Sequence, residues 1–307
     1  MYSHSDALTK LFDLLKSLSA LISQLNVQQR AAKRKGLELY QLGEFVECET
    51  HLTIPASAGD AQSQFILGDA IRRREGTDSS NAQAWYRLAA AQEHVYALMR
   101  LGDDSSLATA RLLAQAAADA GDGDAMLQMY ELTQDQSWLR KAGDAGCAEA
   151  YYIAALLLDK TPDSDRQRDS MLRQSASKGF PPAMYWLGNM PAYYRNFAYQ
   201  RTYLEKRLAA SQLNSVMTYA AALAGGADPS LSRYDYPVNL THAYGLYWLV
   251  MDSTRQNPRH TEAATRLREL ASTLSPEQIE AAKAFGREWR ASHPALSEFR
   301  LTYSELK

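Results

Sequence analysis

The order of bulky and small residues over positions 83–102 predicts two helices joined by a tight turn. Trp85 and Tyr86 are followed at helical spacing by Ala89 and Ala90, and a short polar break precedes the next apolar stretch. Large residues that alternate with alanine and glycine allow two helices to approach closely and interlock. One such pair cannot bury its apolar face alone, so the pattern predicts a neighbour of the same shape.

The same pattern recurs along the chain. An anchor residue, small in most units, follows each predicted turn by four positions, at spacings of 34, 28, 25, 33 and 33 residues: Ser63, Ala97, Ala125, Ala150, Ala183 and Val216. The corresponding turn residues are Gly59, Glu93, Gly121, Gly146, Gly179 and Gln212. This periodicity predicts helix pairs at 61–74 with 81–91, 95–102 with 106–120, 124–132 with 135–145, 148–159 with 165–178, 182–189 with 194–210, and 214–224 with 240–257.

These units resemble the Sel1-like repeat, a relative of the tetratricopeptide repeat. The resemblance covers about residues 30–256 and implies a bacterial-type, all-α protein built as a right-handed α-solenoid of stacked antiparallel helix pairs. The matching pieces are SQFILG at 63–68, AWYRLAAAQ at 84–92, WLRKAGDAGCAEA at 138–150 and SASKGFPPAMYWLG at 175–188. Two of the spacings are shorter than the usual unit of about 34 residues. We therefore expect shortened helices and irregular stacking over 103–146.

The two ends of the chain predict caps for the repeat array. Residues 1–29 have leucines at helical spacing and predict an N-terminal capping helix, with a partner-binding or membrane-surface helix as the alternative. The array is expected over 30–257, C-terminal capping helices over 258–293 and a tail over 294–307. Ser275 and Gln278 flank a proline in the pattern of a capping box, which predicts the start of the last helix.

Composition and charge narrow the classes of partner. The chain has 307 residues, 46% of them hydrophobic and 22% charged, with a net charge of -2 and a pI near 6.3. This balance argues against a general nucleic-acid binder. No segment is apolar and long enough to predict a membrane span, and the N-terminus lacks the pattern of a secretory signal. The sequence therefore favours the cytoplasm, with the periplasm as the alternative if a signal is missing or the start is mis-set.

The sequence contains no recognisable motif for catalysis or metal binding. Cys48 and His51 share a predicted helical face, but no second pair with ligand spacing accompanies them, so packing is the better interpretation. Cys147 and Cys48 lie about three units apart in the predicted array, which argues against a disulfide. We predict no catalytic residue, no metal site and no cofactor.

Aromatic residues supply the candidate binding site. The chain has 18 tyrosines and 5 tryptophans but only 7 phenylalanines, and the first two types suit surfaces with both apolar and polar contacts. We predict that a concave groove presents residues from successive first helices of the pairs, joined by one cluster arginine and by the loop at 225–239. The predicted partner-binding residues are Tyr152, Tyr185, Tyr219, Arg72, Tyr234 and Tyr236. Packing between units is the alternative for each tyrosine, and complementing a helix dipole is the alternative for the arginine.

The resemblance implies a non-enzymatic scaffold that binds a peptide or protein partner, with no nucleic acid and no membrane span. One alternative is an immunity protein that neutralises a secreted bacterial toxin, and another is an adaptor in envelope or secretion assembly. A third alternative, from a different class, is an enzyme with a site near the 225–239 loop. Fold alone does not choose among these functions.

Overall fold

The computed structural model describes residues 26–159, 161–189, 196–225 and 234–303. In this part of the chain the fold is all-α, as predicted, and the elements are α1 Val27–Leu42, α2 Phe45–Ser57, α3 Ala61–Glu75, α4 Ser80–Ala90, α5 Val95–Leu101, α6 Asp104–Asp119, α7 Gly123–Thr133, α8 Ser137–Asp144, α9 Ala148–Leu157, α10 Pro162–Ser177, α11 Pro181–Asn189, α12 Phe197–Ala209, α13 Leu213–Leu223, α14 Leu240–Ser253, α15 Pro258–Ala271 and α16 Pro276–Ser292. Most of the predicted N-terminal capping helix lies outside the described residues.

The chain forms two compact units. The first contains Met1–Tyr40 and Phe45–Ala110, and the second contains Gln41–Glu44 and Arg111–Lys307. In the first unit, α2 packs on α3, α3 on α4 and α4 on α5. In the second, each helix from α7 to α13 packs on the next, and α14 packs on α13, α15 and α16. Consecutive pairing of this kind is the connectivity of an α-solenoid. The predicted limits of the cap and array segments stay predictions.

A single turn geometry recurs between the helix pairs. At each turn one residue has a positive φ, and the N–H groups of this residue and of the next bond back to carbonyls of the preceding helix, as in a Schellman motif. The turn residues are Gly59, Glu93, Gly121, Gly146, Gly179 and Ser211. Five of these six positions are those predicted. The sixth prediction, Gln212, is wrong by one residue, because the backbone takes the left-handed conformation at Ser211, with φ 52.

The residue after the turn often caps the next helix. Asp60 and Asp122 accept hydrogen bonds from N–H groups in the first turns of α3 and α7. His94 does the same for α5, through Nδ1 and the N–H of Ala97 at 3.3 Å. The fourth position after each turn is buried, which includes Ser63, at 0% exposure. Small anchors therefore lie where neighbouring helices meet, as their spacing predicts.

The last two helices, α15 and α16, both pack on α14. The predicted capping box at Ser275 and Gln278 is confirmed. α16 crosses α14 closely, because Gly245 and Gly286 face each other at the crossing: a Cβ on Gly286 would lie 2.6 Å from the Gly245 carbonyl oxygen. The core below contains fully buried Leu246 and Leu213. Among the described residues, no helix combines the length and hydropathy needed to cross a membrane.

Candidate binding site

A cavity of about 280 Å³ opens on the second unit. Two of the predicted tyrosines, Tyr152 on α9 and Tyr185 on α11, line it together. Its remaining walls come from the start of α11, the start of α13 and the C-terminal segment: Pro182, Gln212, Asn214, Glu298, Phe299, Arg300 and Leu301. The cavity is therefore assembled by three successive first helices of the pairs and by a segment distant in sequence.

The repeat explains why the two tyrosines meet. Tyr152 lies two residues after the buried anchor Ala150, and Tyr185 lies two residues after the buried anchor Ala183. Equivalent positions on stacked helices lie on the same side of the stack. Since the sixth turn is at Ser211, the equivalent position on α13 is Met217, which is buried. Tyr219 lies two residues further, about 200° around the helix, and it does not line the cavity.

Two neighbouring aromatic residues on α11 are partly open to solvent, and one of them contacts a buried arginine. Tyr185 and its neighbour Trp186 are 48% and 42% exposed. The guanidinium of buried Arg207 lies 5.2 Å from the centre of the Tyr185 ring, within the range of a cation–π interaction. Arg207 also donates to Oε1 of the Gln212 side chain at 3.2 Å. Tyr185 and Trp186 therefore present aromatic surface to solvent, and the buried, hydrogen-bonded Arg207 lies against the Tyr185 ring.

Tyr152 is held more deeply than Tyr185. Its ring contacts the Phe180 ring edge-on, with centroids 5.3 Å apart. Burial raises the pKa of the Tyr152 hydroxyl, while a hydrogen bond with the Trp186 side chain opposes that rise. The hydroxyl therefore stays protonated at neutral pH.

The remaining predicted tyrosines form a separate aromatic cluster. The rings of Tyr219 and Tyr236 meet edge-on at 4.8 Å, and the Tyr234 and Tyr236 rings stack at 6.5 Å. Arg201 lies 4.2 Å from the Tyr236 ring centre and donates to the Tyr234 carbonyl oxygen. Tyr234 itself is buried, and Tyr219 also contacts Trp289 on α16. This cluster packs the second unit, which is the alternative that the sequence left open for each tyrosine.

The predicted arginine lies in the first unit and is buried. Arg72 pairs with Asp69 at 2.9 Å, and Arg73 and Arg100 pair with the same carboxylate at 2.8 and 3.3 Å. Burial alone would raise the pKa of Asp69, but the Tyr40 hydroxyl and the three guanidinium groups lower it below its ordinary value. The arginine thus has a structural partner in the unit's interior, and the structure does not present it as open binding surface.

Sequence reasoning missed the C-terminal wall of the cavity and the exposed Trp186. Trp186 stands beside Tyr185 in the sequence, so the aromatic pair itself was a usable signal. The wall had no local signal, because Thr302 bonds Glu149 across 153 positions of sequence. Cys48 and Cys147 are both free thiols, and no group of three or more potential metal ligands occurs within the described ranges.

Comparisons with known proteins found low-identity likenesses to solved structures. No protein-family model and no curated protein matches the chain. A solved protective antigen present in uropathogenic Escherichia coli strains, displaying an SLR fold, is 15% identical, with 86% of this chain and 77% of that chain covered and a TM-score of 0.36. A Sel1 repeat protein from Oxalobacter formigenes is 20% identical, with 66% and 95% covered and a TM-score of 0.34.

An immunity protein from Pseudomonas aeruginosa is also similar, at 13% identity, with 80% of this chain and 83% of that chain covered and a TM-score of 0.41. Likenesses at these levels carry no argument about partners. The recurring turn and the consecutive helix pairs are features of the chain itself. In these features the chain resembles the Sel1-like repeat proteins, as its sequence predicts.

Proposed function

We propose that the chain is a non-enzymatic scaffold that binds a protein or peptide partner at the cavity of the second unit. The observation that carries this proposal is the exposed aromatic pair Tyr185 and Trp186, of which Tyr185 lines the cavity. Tyrosine and tryptophan are the residue types most often found as energetic anchors of interfaces. A fixed aromatic rim beside an open cavity suits the insertion of a partner's side chain.

Restricted side-chain motion favours a binding role for the exposed aromatic residues. Arg207 is buried and its guanidinium lies 5.2 Å from the centre of the Tyr185 ring, which limits the rotamers open to Tyr185. Side chains already held in one rotamer lose less conformational entropy when a partner docks. A mobile side chain would lose more conformational entropy on docking, so its contact with a partner would contribute less to the binding free energy. This arrangement supports a preformed surface.

The charge and chemistry of the chain support a protein partner. The net charge of -2 is unfavourable for a general nucleic-acid binder. In the described part of the 225–239 loop, the Tyr236 hydroxyl donates to Glu205 at 3.2 Å, and Glu205 in turn pairs with Arg201 at 2.9 Å. We propose the cytoplasm as the compartment, which fractionation of cells expressing the chain would test.

The proposal is tested by photo-crosslinking. A photoreactive phenylalanine analogue replaces Tyr185 in the full-length chain, and a matched variant carries it at Leu112, which is 71% exposed and far from the cavity in sequence. We expect a discrete crosslinked protein from position 185, and its loss when Trp186→Ala is added. Crosslinks that are equal at both positions, or that survive Trp186→Ala, would overturn the proposed surface.

The identity of the crosslinked protein separates the functional alternatives. A protein that stops growth when expressed alone, and is neutralised by this chain, would make the chain an immunity protein. A component of envelope or secretion assembly would make it an adaptor. A small-molecule turnover that depends on residues at 234–239 would instead contradict the non-enzymatic proposal.

A further inference from the structure

The C-terminal segment, Leu296–Thr302, follows α16 and packs on the second unit without helical structure. Leu296 is buried in the core below α13 and α14, and Leu301 packs against the apolar cluster formed by α7, α8 and α9. Two leucines thus hold the segment at its two ends. Residues 298–301 of the segment form one wall of the cavity.

The backbone of the segment pairs with the start of α13. Ser297 forms a parallel bridge with Gln212: the Leu213 N–H donates to the Ser297 carbonyl oxygen at 2.9 Å, and the Ser297 N–H donates to the Ser211 carbonyl oxygen at 3.1 Å. The first N–H groups of a helix have no partner within the helix. The segment supplies one, in the manner of a peptide that adds to an open backbone edge.

A carboxylate on α9 holds the far end of the segment. Thr302 donates its backbone N–H and its hydroxyl to the two oxygens of Glu149, each at 2.9 Å. Hydrogen bonds to a charged acceptor are stronger than those between neutral groups. Glu149 lies in the first turn of α9, where the helix dipole also favours a negative charge. Glu149 therefore selects a residue with a hydroxyl group.

The segment occupies this surface imperfectly. Phe299 has φ 55, a left-handed conformation that is unfavourable for a bulky residue. Although Phe299 and Leu301 line the cavity, about 280 Å³ remains open between the segment, Tyr152 and Tyr185. A ligand without the strained residue, or with a side chain that fills the cavity, would bind the same surface better.

We propose that α9, α11 and α13 form a docking groove for an extended peptide and that the C-terminal segment is its intramolecular occupant. The partner is a protein segment with a leucine followed by a serine or threonine, placed as Leu301 and Thr302 are, and it binds by displacing the C-terminal segment. This inference rests on the proposed function for its partner, but the occupancy of the groove is tested without one.

The experiment measures binding of a fluorescein-labelled peptide, residues 294–303, to full-length variants. Ser297→Pro removes the N–H that bonds Ser211 and is expected to loosen the segment, whereas Ser297→Ala keeps that N–H and is the matched control. We expect the peptide to bind the Ser297→Pro chain at least about tenfold more tightly than the wild-type or Ser297→Ala chain, in which the groove is filled. Circular dichroism checks that helix content is unchanged.

Two further arms test the carboxylate. Glu149→Gln, added to Ser297→Pro, and a peptide with T302V are each expected to weaken binding by about tenfold. Equal binding to all the chains, or no binding to the Ser297→Pro chain, would overturn the inference. If Ser297→Pro does not fold, Thr302→Val in the full-length chain replaces it, with the same direction expected.

The outcomes separate the two proposals. Peptide binding that requires release of the segment, together with crosslinking at position 185 no stronger than at position 112, would uphold the groove and reject the partner surface. Crosslinking at position 185 without peptide binding would do the reverse. Binding that rises with chain concentration through exchange of C-terminal segments between two copies would identify a second copy as the occupant and overturn the partner assignment.

Discussion

At the scale of single residues, Asp69 organises the interior of the first unit. Its carboxylate is 1% exposed and accepts from the Tyr40 hydroxyl and from the guanidinium groups of Arg72, Arg73 and Arg100. A buried charge is tolerated only when partners replace the water that it loses. The three arginines and the aspartate thus stabilise one another.

Asp69→Asn removes that charge while keeping the shape of the side chain. We expect the free energy of unfolding of the first unit to fall by about 3–5 kcal/mol, because several cations lose a buried partner. Urea denaturation followed by circular dichroism measures the change. Asp163→Asn is the matched control, since Asp163 pairs with Arg166 at the surface, with both side chains more than 80% exposed, and a change within about 0.5 kcal/mol is expected. Similar losses for both variants would contradict the assigned role of Asp69.

The turn residues show what a local pattern can and cannot predict. Glycine at four of the six turns marks the left-handed conformation directly, since only glycine adopts it without strain. Glu93 and Ser211 adopt it with ordinary side chains, so only the repeat spacing points to them. That spacing located Glu93 but placed the sixth turn at Gln212. Tyr219 lies eight residues after the actual turn at Ser211, whereas Tyr152 and Tyr185 lie six residues after theirs, so Tyr219 falls on another face of α13.

At the scale of elements, the cap of α5 depends on protonation. His94 Nδ1 accepts from the Ala97 N–H, so the cap requires an unprotonated nitrogen, and the ring also stacks on Phe65 with centroids 4.7 Å apart. Burial lowers the pKa of His94 below its ordinary value of 6.5, while its own backbone and Asp60 oppose that shift. The folded state therefore takes up the proton less readily than the unfolded chain.

The sign of the effect follows from linkage. Above the unfolded pKa both states are neutral and the stabilisation is complete, and as pH falls below about 6.5 the unfolded chain gains a proton first. We expect the free energy of unfolding to fall by about 1 kcal/mol between pH 7 and 5 through this group. His94→Asn keeps a capping acceptor without a titrating group, and urea titrations at several pH values should show a shallower pH slope. An unchanged slope would contradict the assignment.

The crossing of α14 and α16 depends on two glycines. A Cβ on Gly245 would lie 2.3 Å from the Ala282 carbonyl oxygen, so Gly245→Ala must push the two helices apart. We expect the free energy of unfolding to fall by about 1–3 kcal/mol. Gly188→Ala is the matched control on α11, because its nearest neighbour, the Tyr203 Cβ, is 3.4 Å away and alanine favours a helix. Thermal unfolding distinguishes the two, and equal effects would argue against close packing at this crossing.

At the scale of the whole chain, helices and their pairing were predictable, whereas the C-terminal wall of the site was not. Periodicity encodes which face of a helix is buried, and the spacing of small residues encodes where helices meet. The C-terminal segment that forms one wall of the cavity has no comparable pattern in its sequence. Its contacts join Thr302 to Glu149 and Asn257 to Glu298, and each depends on the finished fold to bring the two side chains together.

These long-range contacts change how the second unit should respond to mutation. In a simple repeat array each unit contacts only its neighbours, so a defect stays local. The C-terminal segment instead follows α16 in the chain but packs, through Leu301, against the cluster that includes Leu127, Leu139 and Ile153. A substitution near the end of the chain should therefore loosen helices far earlier in the sequence.

Leu301→Ala tests this coupling. Removing the half-buried side chain should reduce the local stability of α8 and α9 by about 1 kcal/mol, because their apolar cluster loses a contact and Glu149 loses a well-placed donor at Thr302. Hydrogen exchange should then accelerate about fivefold in peptides that cover 137–157 and stay unchanged in peptides that cover 240–253. Leu112→Ala, at an exposed leucine, should change neither region. Unchanged exchange at 137–157 would mean that the segment does not stabilise these helices. A uniform increase in all peptides would mean that the substitution acts through global unfolding rather than through the contact of Leu301 with this cluster.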